Sequence, residues 1–133
     1  MKKLFVDTSA LYALLSMNDI NYQKALSTWE RMLEDDTVMI TNNYVLVECF
    51  SLLQRRLGID ASCDLDTKLA PLLQIDWIDA QQHANIVNYA LAANQLQLSL
   101  VDCNCFESMR RLGIESVFSF DKHFREHGFD VIP

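Results

Sequence analysis

Short, uninterrupted apolar segments alternate with longer amphipathic segments along this chain, and this alternation limits its possible folds more than any other feature. The segments predicted to be strands are Lys3–Val6, Thr37–Thr41, Gln74–Ile78, Ser116–Phe120 and Phe129–Ile132. Strands that are apolar on both faces are typical of a parallel sheet covered by helices on each side. The sequence therefore predicts an α/β fold, a three-layer sandwich with a central, mainly parallel β-sheet flanked by helices.

The segments between the predicted strands carry helix start and stop signals. Thr8 or Ser9 is predicted to cap a helix over residues 10–17, and Ser99 with Asp102 approximates a capping box. The other helices are predicted over residues 21–34, 44–57, from 60 to a disturbance at Pro71, 80–95, and from 99 to about 113. Because nothing in the sequence resembles a linker, residues 1–133 are predicted to form one domain.

Composition narrows the class of protein further. The net charge of −7 argues against binding nucleic acid through bulk positive charge, but not against a nucleic-acid enzyme. No apolar run reaches the ~18–20 residues of a membrane span, and no signal-peptide pattern begins the sequence. A cytoplasmic protein is therefore expected, with its four cysteines as reduced core thiols. The alternative is a structural zinc site, which would use Cys103, Cys105, His123 and His127.

Acidic residues lie at the edges of core-forming segments, where acids are least expected. They are Asp7, Glu48, Asp102 and Asp121. Carboxylates are rarely buried unless their charge is compensated, although each acid alone is also explained as a turn, cap or first-turn residue. The strand ends of a parallel sheet converge where ligands bind, and four hard oxygen ligands suit Mg²⁺ or Mn²⁺. The four acids together therefore predict one divalent metal site.

Helix phase supports this prediction for two of the acids. Glu48 is flanked one turn away by Val45 and Leu52, in the half of its helix that is apolar nearly all round. Asp102 shares a helix face with Phe106, so that face is expected to pack inward.

The acids lie in four stretches whose order and spacing resemble the PIN-domain nucleases, including the VapC-type toxins of bacterial toxin–antitoxin pairs. The stretches are Phe5–Leu11, Thr41–Glu48, Leu98–Cys103 and Ser119–Phe124, and the resemblance runs over essentially the whole chain. It implies a PIN-like fold in which the acidic quartet holds catalytic Mg²⁺ or Mn²⁺. It also implies hydrogen-bond support of the quartet by Thr8, Ser9 and Ser119. Relatives often carry threonine where Ser119 stands, and the serine hydroxyl keeps that donor.

The resemblance also implies an activity and partners. The activity is a metal-dependent endoribonuclease that hydrolyses RNA phosphodiester bonds with a metal-activated water, leaving a 5′-phosphate and a 3′-hydroxyl. We interpret the chain as the toxin of a type II toxin–antitoxin pair, with an antitoxin protein as partner. A homodimer is expected, and its candidate face consists of Leu65, Leu69, Leu72 and Leu73.

Basic residues near the acids are candidates for contacts to RNA phosphates. They are Arg55, Arg56, Arg110, Arg111, Lys122 and Arg125. The two arginine pairs are equally well explained as last-turn cations that complement helix dipoles.

Three other functions stay open. One is a housekeeping PIN nuclease in RNA processing, and another is a PIN-fold interaction module without catalysis, which the intact quartet disfavours. The third is a phosphotransfer enzyme of another α/β class. It is disfavoured because Ser9 stands where phosphatases with a nucleophilic aspartate carry a second aspartate.

Overall fold

The computed structural model describes residues 2–93 and 98–133, which contain a five-stranded sheet at the centre of the molecule. Its strands are β1 Lys3–Val6, β2 Val38–Asn42, β3 Gln74–Asp76, β4 Ser116–Phe118 and β5 Asp130–Ile132. They lie in the order β3-β2-β1-β4-β5, and each described pairing is parallel. The predicted α/β sandwich with a mainly parallel central sheet is confirmed.

Helices connect and cover the strands. They are α1 Thr8–Leu15, α2 Tyr22–Glu34, α3 Asn43–Arg56, α4 Ile59–Asp64, α5 Ala80–Ala93, α6 Leu100–Leu112 and α7 His123–Glu126. After α4 the chain continues as a π-helical turn over Leu65–Leu69 and a 3₁₀ turn over Ala70–Leu72. Pro71 lies in that last turn, as expected of a residue without a backbone N–H. The predicted end of α5 at Gln95 lies outside the described residues.

The core forms where the apolar strands meet one face of each large helix. Leu4, Phe5 and Val6 of β1 are essentially inaccessible to solvent, as expected of a central strand covered on both faces. In α2 the buried residues include Ala25, Trp29 and Met32, spaced three to four residues apart on one stripe. Burying a side chain such as Phe5 stabilises the fold by about 1.5–3 kcal/mol.

Two details of the predicted helices are wrong. The N-cap of α1 is Asp7, not Thr8 or Ser9, since the extended backbone of Asp7 already places its carbonyl to accept from the N–H groups of Ala10 and Leu11. The short helix α7 was not predicted, because a single turn carries too little periodicity to detect. The capping box at Ser99 and Asp102 is confirmed.

The predicted dimer face is also wrong. Leu65, Leu69 and Leu73 are buried in the core of this chain, and only Leu72 of the four is exposed. The π-helical turn changes the number of residues per turn, so the α-helical spacing of these leucines does not describe a surface stripe.

The sheet order determines where a site can form. From β1 the chain first adds β2 and β3 on one side, and β4 and β5 lie on the other side. Ligands of open α/β sheets bind outside the carboxyl ends of the strands at such a reversal. Here the reversal lies between β1 and β4, which Asp7 and Ser119 directly follow. Among residues 2–93 and 98–133, no helix has both the length and the apolar character that crossing a membrane requires.

Candidate active site

Asp7 is a buried carboxylate at the carboxyl end of the central strand β1. Only 5% of its surface is exposed. Its Oδ2 accepts hydrogen bonds from Ser119 Oγ at 2.9 Å and from Ser9 Oγ at 3.1 Å. Burial raises the pKa of Asp7 to about 6, although hydrogen bonds from Ser119, the Thr8 backbone and Ser9 oppose the shift. These donors are all neutral, so the negative charge of Asp7 is stabilised only in part.

The two serine hydroxyls fasten the end of β1 to the loop after β4. Ser9 Oγ accepts from the backbone N–H of Phe120, and Ser119 Oγ accepts from the backbone N–H of Asp121, both at 2.9 Å. The two hydroxyls lie 3.2 Å from each other. Thr8 differs from both serines, because its buried Oγ1 has no hydrogen-bond partner among the described residues. Ser9 and Ser119 thus bond the Asp7 carboxylate, whereas the Thr8 hydroxyl does not.

Asp102 and Asp121 form the outer part of the same site, together with His123. His123 Nδ1 lies 3.1 Å from Asp121 Oδ1 and 3.7 Å from Asp102 Oδ2. Each of the three residues offers one ligand atom, and within the described ranges these atoms all lie within 4.8 Å of one another. This group could hold a metal ion.

Local structure fixes each of the outer acids. Asp102 stands in the first turn of α6, where its Oδ2 accepts from the backbone N–H of Ser99 at 3.2 Å. Asp121 Oδ1 accepts from the backbone N–H of His123 at 2.9 Å. Burial raises the pKa of Asp102, the Ser99 backbone bond opposes that rise, and the charge of Asp121 adds to it. A carboxylate whose ionisation is disfavoured by burial and by a neighbouring negative charge favours a nearby cation.

Glu48 projects from α3 and is half-buried. It does not belong to the group of three that could share one ion. Its charge nevertheless acts on the fully buried thiol of Cys105. The pKa of that thiol is well above its usual range, first because of burial and then because of negative charges from all four predicted acids. The charges of Asp7, Asp102, Glu48 and Asp121 therefore all act on one thiol, although these residues come from four separate parts of the chain.

The zinc alternative is wrong for the residues that the structure describes. No group that could hold a metal there includes a cysteine. Cys103 and Cys105 are buried free thiols, and burial raises the pKa of both. The ring of His127 instead stacks on Phe106, with 4.5 Å between the ring centroids.

The predicted cations divide into two sets. Lys122 and Arg125 line a hollow that also contains Ser119 and Asp121, so they lie beside the acids. The remaining four lie in the last turns of α3 and α6: Arg55, Arg56, Arg110 and Arg111. Those turns are about eight residues beyond Glu48 and Asp102, or roughly 12 Å along each helix axis.

Contacts of the arginines agree with a structural role. Arg111 forms an ion pair with Asp76 at the end of β3. Arg110 lies over the ring of Phe129, and Arg56 lies over the ring of Tyr12, each at 5.6 Å from the ring centroid.

Sequence reasoning did not include His123 among the site residues. Its signal was its position two residues after Asp121, which brings its backbone N–H and its ring to the same carboxylate. From the sequence, His123 is considered only as a possible zinc ligand, and its ring is therefore not predicted to lie beside the acids.

The acids lie where the strand order of a parallel sheet reverses, so the molecule is an α/β protein with a candidate metal site. Comparison with known proteins identifies its family. A family model of the PIN domain matches residues 4–130, and the chain belongs to that family. The chain is homologous to the 23S rRNA-specific endonuclease VapC20 of Mycobacterium tuberculosis. The two are 29% identical over 127 residues, which are 95% of each protein.

Solved structures give the same result. The crystal structure of Mycobacterium tuberculosis VapC20, described as a Sarcin-Ricin loop cleaving toxin, matches with a TM-score of 0.82 and 28% identity over 98% of this chain and 99% of that one. FitAcB from Neisseria gonorrhoeae matches with a TM-score of 0.67 over 98% of this chain and 96% of that one. At 15% identity, FitAcB supports the fold alone.

Proposed function

We propose that this chain is an endoribonuclease that requires Mg²⁺ or Mn²⁺ and acts as the toxin of a toxin–antitoxin pair. The observation that carries the proposal is the group of Asp102, Asp121 and His123, whose ligand atoms lie within 4.8 Å beside the buried Asp7. The VapC20 relative is a 23S rRNA-specific endonuclease, which supports the same assignment.

The residues present fit a divalent cation. Asp7 is buried among neutral donors with its pKa raised to about 6, so an ionised Asp7 needs a nearby positive charge. Carboxylate oxygens are the ligands that Mg²⁺ and Mn²⁺ prefer. In this proposal the ion is held by Asp7, Asp102 and Asp121, and Glu48 completes the acidic rim.

The chemistry is hydrolysis of a phosphodiester bond. A bound divalent ion would lower the pKa of water and offset the charge of the scissile phosphate. Ser9 and Ser119 orient the Asp7 carboxylate through their hydroxyls, while Lys122 and Arg125 are placed to contact neighbouring phosphates. Attack of water on phosphorus with departure of the 3′-oxygen leaves a 5′-phosphate and a 3′-hydroxyl.

RNA cleavage in the presence of Mg²⁺ or Mn²⁺ tests the proposal. Ribosomal RNA is the first substrate to try, since the VapC20 relative carries that substrate in its name. We expect wild type and Asp66→Asn to cleave equally. Asp66 is an exposed acid in the Leu65–Leu69 turn and is not one of the proposed site residues. Asp7→Asn and Asp102→Asn should be inactive. Cleavage that persists in EDTA, or in either of the latter variants, would refute it.

Partners are part of the same proposal. Within the described ranges, the exposed large apolar residues include Met17, Ile20, Ile59, Trp77 and Leu91. They provide surface for an antitoxin and for a second copy of the chain, and a ribonuclease of this kind would act in the cytoplasm. Co-purification with the product of a neighbouring short reading frame tests the antitoxin, and light scattering at micromolar concentration tests the dimer. A monomer that binds no such product would contradict both partners.

A further inference from the structure

A hollow of about 370 Å³ opens directly beside Glu48. Its lining residues come from α3, α5 and α6: Asn43, Tyr44, Val47, Glu48, His83 and Val101. Glu48 belongs to the proposed catalytic rim, and Val101 precedes Asp102 in the chain. The hollow therefore shares Glu48 with the proposed cleavage site.

Two aromatic rings form the wall of this hollow. The rings of Tyr44 and His83 have centroids 5.6 Å apart and are tilted by 54°. His83 lies in the exposed part of α5, and Val47 is 66% exposed, so both are accessible from solvent. An open aromatic and aliphatic surface of this kind is suited to a flat, partly apolar ligand.

The wall is held in place before any ligand binds. Asn43 Oδ1 accepts from the backbone N–H of Ile78 at 2.7 Å, and Asn43 Nδ2 donates to the Ile78 carbonyl at 3.4 Å. These two bonds attach the start of α3 to the segment just before α5. Because α5 carries His83, the separation of the two rings is set by this connection.

Tyr44 also has an unused polar group. Its hydroxyl oxygen is buried and has no hydrogen-bond partner in the part of the chain that the structure describes. Because this oxygen has essentially no accessible surface, a ligand in the hollow can contact the ring of Tyr44 but not its hydroxyl.

The geometry points to a binding site for one unpaired nucleobase of the RNA, adjacent to the phosphate that is cleaved. This inference rests on the proposed function, which brings the RNA backbone to Glu48 and Asp102. Proteins bind single-stranded RNA by stacking bases on aromatic rings, histidine included, and by hydrogen bonds to base edges. His83 and Tyr44 supply the stacking faces, and Val47 supports the base from the aliphatic side.

The first experiment measures binding without cleavage. Fluorescence anisotropy in Ca²⁺ compares a labelled pool of random single-stranded RNA octanucleotides with a ribose–phosphate octamer that lacks bases but has the same charge. We expect wild type to prefer the RNA by about tenfold, the contribution of one stacked base. His83→Ala should remove most of this preference, and His83→Phe should retain it.

Two further variants keep the result interpretable. Tyr44→Phe removes only a buried hydroxyl without a partner and keeps the ring, so both the fold and the preference for bases should be retained. Tyr89→Ala is the matched control, because Tyr89 is an exposed aromatic on α5 that does not line the hollow. It should bind both octamers as wild type does.

Cleavage in Mn²⁺ then separates this inference from the proposed function. Base-dependent binding without any cleavage would overturn the nuclease and leave the base site standing. If wild type cleaves RNA but His83→Ala weakens the binding of both octamers equally, the base site alone is overturned. A change of oligomeric state in His83→Ala, with base preference unaltered, would assign the hollow to a protein contact and overturn it as well.

Discussion

The inner and outer acids of the site are held in different ways. Asp7 is buried at the end of β1, and its carboxylate is fixed by two serine hydroxyls and a backbone N–H. Asp102 and Asp121 are only half-buried and lie beside an imidazole that can carry positive charge. The inner acid is therefore rigid and poorly compensated, whereas the outer pair is accessible and has a partner within ion-pair distance. A fold that keeps such an inner acid gives up stability for function.

The largest effect that separates the two parts is expected from Asp7→Asn. If Asp7 is a metal ligand, as we propose, its loss should lower cleavage by more than about a hundredfold, beyond what supporting groups usually contribute. The same change should stabilise the metal-free protein, because an amide does not have to ionise inside the fold. Asp102→Asn should lose as much activity, but it should gain less stability because Asp102 is half-buried.

The pH dependence of stability measures the difference directly. Asp7 has a pKa of about 6 in the folded protein against an ordinary value of 3.8, so the folded state holds its proton more tightly. Its stabilising contribution is present below about pH 4 and is lost as pH rises through about 6, roughly 3 kcal/mol in all. Urea unfolding in EDTA at pH 4 to 7 should show a steeper fall in wild type than in Asp7→Asn, where Asp102 still contributes a fall of the same sign. Equal slopes in the two proteins would contradict the proposed burial cost.

A smaller effect is expected at the contact between β1 and the loop after β4. Ser119→Ala removes the donor to Asp7 Oδ2 and the acceptor for the Asp121 backbone N–H, so it disturbs both parts of the site. We expect a 10–100-fold loss of metal affinity or activity, about the size typical of groups that orient ligands. Ser119→Thr keeps the hydroxyl and should restore most of it. Titration with Mn²⁺ measures the affinity, and an unaltered Ser119→Ala would contradict an orienting role.

Much of the fold and the inner part of the site could be predicted because their signals are local. Apolar runs mark the strands, and the capping box at Ser99 and Asp102 marks the start of α6 to the residue. The predicted dimer face is wrong because a π-helical turn changes the helix phase at Leu65. The α-helical spacing of the leucines does not reveal such a turn. The aromatic wall of the hollow beside Glu48 could not be predicted from the sequence for another reason. Tyr44 and His83 are 39 positions apart, and only the fold, in which α3 and α5 both pack against α6, brings them together.

The smallest expected effect tests whether the RNA backbone passes beside Asp102 and Asp121 or along the C-terminal end of α6. Lys122 and Asp121 line a hollow separate from that of Tyr44 and His83. Arg110 instead lies over Phe106 and Phe129, at the opposite end of α6 from Asp102. Lys122→Ala should therefore weaken RNA binding and lower the slope of log affinity against log salt by about 1, the value for one phosphate contact. Arg110→Ala should leave that slope unchanged, because its charge lies roughly 12 Å along the axis from the acids. A lower slope in Arg110→Ala would instead extend the RNA path along α6, away from the outer acids.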